Sequence, residues 1–153
     1  MEDERMSARR IVVGVDGSGP SKAALLWAVR EAELTDGTVE AITTWDYPSA
    51  WYGWTPPQSE AYDFEKIANQ ILADTVDEVV GPDPPARIRT RVAHGDAATV
   101  LLDAARGARL LVVGNRGHGR FAGALLGSVG QHCVQHAPCP VLVVRGSDDG
   151  TVD

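Results

Sequence analysis

Residues 114–128, GNRGHGRFAGALLGS, carry the most chemical content in the chain: four glycines precede the Gly127–Ser128 pair, an apolar run lies before them and helical spacing follows. Glycines at the carboxyl end of a buried strand let the backbone approach an anion closely. The next helix adds unsatisfied N–H groups and the positive end of its dipole. Phosphate is the natural occupant, with Gly127, Ser128 and Val129 as the candidate nest and the Ser128 hydroxyl as a further donor. Asp16 ends the first apolar run, IVVGV. If the first and fourth strands are neighbours, it faces the same crevice and could hold a metal ion bridging phosphates or a ribose hydroxyl. Arg116, His118 and Arg120 lie inside the loop, where each could touch a phosphate or point to solvent. Such a loop standing alone reads rather as a tight turn, and Asp16 without it as a turn residue; their placement at two strand ends favours a ligand.

Other chemistries fit less well. No Gly-x4-Gly-Lys-Ser/Thr motif is present, and the two lysines, Lys22 and Lys66, both fall in helical segments. The charge-withdrawing lysine of P-loop enzymes is therefore missing, and no general base is aimed at an attacking water, so an efficient ATPase is not expected. Ser18 and Ser128 lie at helix starts without the Gly-x-Ser-x-Gly elbow of a hydrolase. His132 and His136 are one helical turn apart, with Cys133 and Cys139 nearby. Cys133 is expected to face the sheet and Cys139 sits between prolines, so these four match no zinc spacing and read as structural.

The elements that would position these residues follow from periodicity. Residues 11–15 read as a short buried strand, followed by a DGSGP turn in which Ser18 can cap a helix with Pro20 in its first turn. Apolar residues at three- and four-residue spacing carry that helix to Asp36-Gly37, and residues 38–45 form a second strand. Residues 46–58, with three prolines and the aromatics Trp51, Tyr52 and Trp54, form an irregular loop, and residues 59–80 a second helix. A third strand over 87–93 alternates Arg87, Arg89 and Arg91 on one face, which reads as a solvated edge. Asp96 can cap a short helix reaching Arg106; residues 110–113 are a wholly apolar fourth strand, buried on both faces. Ser128 opens a helix to His136, and prolines at 138 and 140 separate it from the last strand, Val141–Val144. Five strands alternating with four helices wind into one parallel sheet covered on both faces, a single-domain α/β fold.

A chain of 153 residues with 44% hydrophobic and 23% charged residues is the size of one domain. The charge of −7 argues against sequence-independent nucleic-acid binding. No apolar run approaches the roughly 18 residues that span a bilayer. The charged start, residues 1–10, offers no signal-peptide core and reads as a flexible arm, and residues 146–153 as a fraying acidic tail. A cytoplasmic location, for which two cysteines are suitable, is the default.

The pattern Gly-x2-Gly-x9-Gly-Ser, filled by Gly114, Gly117, Gly127 and Ser128, resembles the ATP-binding branch of the universal stress protein family. The opening VVGVDGS and the ending HAPCPVLVV resemble it too, so the likeness covers about residues 11–145. It implies an adenine nucleotide alpha hydrolase-like sheet of order 3-2-1-4-5, ATP between the first and fourth strands, and homodimers formed largely through Val141–Val144. Carried over, Asp16 would serve the ribose or a phosphate-bound Mg2+, with Ser18 beside it. Val15 would lie beside the base, Thr44 at the adenine edge, and Gly114 and Gly117 against ribose and phosphates, with Val113, Arg116 and His118 as further candidate binding residues. Gly127, Ser128 and Val129 would donate to the phosphate chain. The resemblance implies a nucleotide-dependent regulator or sensor in the stress response. A slow ATPase or autokinase, a cyclic-AMP-binding protein and a ligand-free interaction module remain as alternatives. Gly130 departs from the family pattern, and its low helix propensity, about 1 kcal/mol below alanine, is expected to loosen the last helix.

Overall fold

The computed structural model describes residues 8–47, 58–117 and 126–146, with side chains of the second helix described from residue 63. The elements run β1 Arg10–Gly14, α1 Gly19–Thr35, β2 Thr38–Trp45, α2 Gln58–Val79, β3 Arg87–His94, α3 Ala97–Ala104, β4 Leu110–Gly114, α4 Ser128–His136 and β5 Val141–Val144. The five strands form one parallel sheet in the order β3-β2-β1-β4-β5. The expected fold class and strand order are therefore present. Trp51, Tyr52, Trp54, His118 and Arg120 lie outside the described residues.

Strand alternation divides the core into two layers. Ile11, Val13, Val39, Ala41 and Val112 point to one face, where Ala24, Leu25 and Ala28 of α1 and Leu72 of α2 meet them. Val12, Ile42, Leu111 and Val113 point to the other, against Leu101 and Ala104 of α3 and Cys133 of α4. The central strands β1 and β4 are buried on both faces, which is why their sequences lack polar alternation. The opposite holds at the edge, where Arg87, Arg89 and Arg91 of β3 are exposed and Arg91 Nε reaches Glu40 Oε1 at 3.2 Å.

Several boundaries differ by one or two residues from the sequence reading, and three differences have a visible cause. β1 begins at Arg10, which the flexible arm had claimed: its guanidinium donates to the carbonyls of Ala104 (2.5 Å) and Arg106 (2.9 Å) and pairs with Glu40 at 3.1 Å. α3 stops at Ala104 rather than Arg106, because the chain tightens into a turn whose Arg106 N–H donates to the Asp103 carbonyl and whose Gly107 has φ 75°. Gly146, assigned to the fraying tail, packs against α1: a Cβ there would lie 2.8 Å from Pro20 Cα.

Candidate functional site

The crossover leaving β1 goes to one face of the sheet and that leaving β4 to the other, so the crevice outside their carboxyl ends is a topological switch point, the usual ligand position in open α/β sheets. A cavity of about 220 Å³ occupies it. Of the residues singled out in the sequence, Val15, Asp16, Thr44, Val113, Gly114, Arg116, Gly117, Gly127, Ser128 and Val129 line this cavity together. They come from the ends of three strands and the start of one helix, so the fold alone gathers residues more than a hundred positions apart.

Ser18 is placed differently. It is the α1 N-cap, accepting the Ser21 N–H through its side chain, and it is absent from the cavity wall. Its contribution passes through Asp16, whose Oδ1 accepts from the Ser18 N–H at 2.9 Å and from the Ser18 hydroxyl at 2.5 Å. Asp16 Oδ2 lies against Gly117, so closely that any side chain at 117 would displace it. The carboxylate is thus fixed by the turn before α1 and presented to the β4 loop. Asp16 and Arg116 are the two charged side chains among the described residues lining the cavity, one of each sign.

The glycines do not all serve the cavity. A Cβ on Gly114 would sit 2.7 Å from Pro20 C and Cβ, so this glycine lets the first turn of α1 press on the end of β4. At Gly130 a Cβ would fall 2.6 Å from Leu126 Cδ1, so the missing side chain makes room for the end of the Leu126 side chain. Gly127 is the α4 N-cap without a side-chain cap bond, and its N–H donates to the Asn115 carbonyl at 2.7 Å. That donor was assigned to phosphate and is engaged within the protein. The N–H groups of Ser128, Val129 and Gly130 are the ones that have no intrahelical acceptor at this helix start.

Sequence reasoning missed Gly14, Ser21, Ile42, Ala97, Leu101, Asn115 and Gly130 as cavity residues. Asn115 could have been found, since it fills a variable position of the glycine pattern. It is buried, its N–H donates to the Val144 carbonyl at 2.8 Å and its own carbonyl holds Gly127, so it ties β5 to the loop. Ala97 and Leu101 carried only a core signal, and nothing in the local sequence shows that α3 leans over the crevice. Of the four His and Cys residues near α4, Cys133 is wholly buried, away from the two exposed histidines, and among the described residues no group of three His, Cys, Asp or Glu side chains could hold a metal ion. Burial, reinforced by the charge of Asp96, pushes the Cys133 thiol up to about 11.

A cleft at the switch point of a doubly wound sheet, with a fixed carboxylate on one wall and a helix start on the other, defines a class of small α/β proteins. The universal stress protein family is matched over residues 7–145, and the chain belongs to that family. A universal stress protein of Mycolicibacterium smegmatis is 33% identical over 153 residues, covering 94% of this chain and 50% of its own length. The chain spans about half the length of the curated relatives it matches. Among solved structures, the universal stress protein UspA of Lactobacillus plantarum superposes with a TM-score of 0.68 at 23% identity, covering 89% of this chain and 97% of that one, and shows the fold. A universal stress protein in complex with cAMP, 29% identical, superposes with a TM-score of 0.60 over 92% of this chain and 98% of its own. No helix among the described residues is long and apolar enough to cross a membrane.

Proposed function

We propose that this chain binds ATP in the β1–β4 crevice and acts as a nucleotide-dependent regulator rather than an efficient enzyme. The observation that carries this reading is the convergence of Asp16, Gly117 and the start of α4 on one cavity. Apolar Ile42, Leu101 and Val113 with Thr44 suit a base, Asp16 suits a ribose hydroxyl, and the α4 N–H groups with the Ser128 hydroxyl suit phosphates.

The donor set also fits Mg2+, which takes one or two carboxylates together with substrate phosphates. One carboxylate, Asp16, stands on the described wall and would hold the ion together with the phosphates, whose charge the ion would offset. A second acidic group to orient a water is missing from the described lining, which supports slow hydrolysis at most. Homodimers through the short apolar edge strand β5 belong to the same proposal.

A second reading, a cyclic-AMP-binding protein on the same wall, draws support from the relative in complex with cAMP. Gentle purification without added nucleotide, acid release and mass spectrometry separate the two. ATP near one equivalent, lost in Asp16→Ala and Gly127→Glu with the circular dichroism spectrum retained, is the expected result; cyclic AMP or AMP assigns the site to a monophosphate. Normal ATP retention by both variants refutes the site.

A further inference from the structure

The outer face of α4 carries a pair that the nucleotide reading leaves unused. His132 and His136 are four residues apart, both exposed, with ring centroids 6.0 Å apart and planes inclined by 37°. Residues at this spacing stack on one helix face. His132 Nδ1 lies 3.4 Å from the Ser128 carbonyl one turn earlier. In the tautomer that donates from Nδ1, Nε2 keeps its lone pair for a metal, and a backbone carbonyl is a partner that metal-ligating histidines commonly have.

We infer that His132 and His136 form a two-imidazole site for a first-row divalent metal ion, a function separate from nucleotide binding. With metal–nitrogen bonds of about 2.0–2.1 Å, bringing both rings onto one ion closes the centroids to roughly 5 Å, a movement that exposed side chains make by χ rotation. Cys133 does not join: it lies between the two in sequence but on the buried side of the helix. Among the described residues no cluster of three potential ligands forms, so water completes the coordination sphere. Two neutral imidazoles with water favour Cu2+ first, then Ni2+ or Zn2+, and exclude the hard oxygen-seeking ions Mg2+ and Ca2+. The pair clips the last two turns of a nine-residue helix, so bound metal stabilises the native chain.

The test uses the full chain carrying Cys139→Ser, which removes the more accessible thiol, titrated by calorimetry with Ni2+ and then Cu2+, each alone. One equivalent is expected to bind, Cu2+ more tightly, with an upward shift of the melting temperature; His132→Ala and His136→Ala each weaken binding by at least about tenfold. His94→Ala, whose imidazole faces Asp46 at 3.1 Å on another part of the surface, retains it. Both positions are exposed, so the variants keep the wild-type circular dichroism spectrum. Absence of binding at submillimolar metal overturns the inference, as does undiminished binding in the two alanine variants.

Discussion

Replacing Gly114 by alanine tests whether this glycine serves the ligand or the protein. The added Cβ would lie 2.7 Å from both Pro20 C and Cβ and 2.9 Å from Pro20 O. Carbon contacts settle at about 3.5–4.0 Å, so the β4 end and the first turn of α1 must separate by roughly 0.8 Å or more. Neither side yields easily. Pro20 is fully buried and Gly146 packs close beside it, while β4 is pinned between β1 and β5. Overpacking of this kind costs about 1–3 kcal/mol, and backbone atoms in the clash place it near the upper end. Alanine returns about 0.4–1 kcal/mol by restricting the unfolded chain. A net loss of about 2 kcal/mol lowers the melting temperature by about 4–8 °C in a chain of this length. Thermal unfolding by circular dichroism reads the change. Gly127→Ala is the control, since its Cβ would meet Arg116 Cα at an ordinary 3.6 Å and the loss is that of a poorer cap, under about 1 kcal/mol. A Gly114→Ala melting temperature within about 1 °C of wild type, or a loss no larger than that of the control, refutes the reasoning. A fall in nucleotide affinity alone would return Gly114 to the ligand.

Thr43 Oγ1 is buried without a hydrogen-bond partner, so Thr43→Val is expected to leave stability unchanged or raise it by up to about 1 kcal/mol in urea titrations. Glu40 accepts from Arg10 and Arg91 with its side chain 17% exposed, and Glu40→Gln is expected to cost about 1–2 kcal/mol by the same method. The Cys133 thiol, raised from 9.0 to about 11, loses its proton at lower pH in the unfolded chain than in the folded one. Its stabilising contribution is complete below pH 9 and fades as pH rises towards 11, by at most about 3 kcal/mol. Cys133→Ala should therefore show a shallower stability loss than wild type between those pH values, and equal slopes would contradict the burial of the thiol.

Much of the fold was legible because its signals are local. Continuous apolar strands, helices at 3.6-residue spacing and caps such as Ser18 and Asp96 are set by neighbouring residues, and these elements fall within two residues of their expected ends. The early end of α3 is set by its own turn at residues 103–107, but the differences at the two ends of the domain have non-local causes. Arg10 joins a strand because carbonyls 94 and 96 residues away accept from it, and Gly146 is held by Pro20 from the opposite end of the chain. The cavity divides in the same way. Strand-end and loop residues were found from their positions, whereas Ala97 and Leu101 of α3 were not, since the tilt of a helix over a crevice leaves no trace in its own spacing.

The glycines of residues 114–130 show how residues can meet at one cavity for a reason other than the one that singled them out. Glycine-rich loops are read as cradles because a missing Cβ admits a ligand. At Gly114 the space is taken by Pro20, at Gly117 by the Asp16 carboxylate and at Gly130 by Leu126, all parts of the protein itself. Among the described glycines of residues 114–130, only around Gly127 are the nearest contacts ordinary ones, and its N–H is already bonded to Asn115. Much of the pattern therefore draws α1, Asp16 and α4 close enough to make a cleft. It follows that losing one of these glycines need not remove a ligand contact to remove the site: at Gly117 a methyl group would push Asp16 off the two Ser18 donors that aim it.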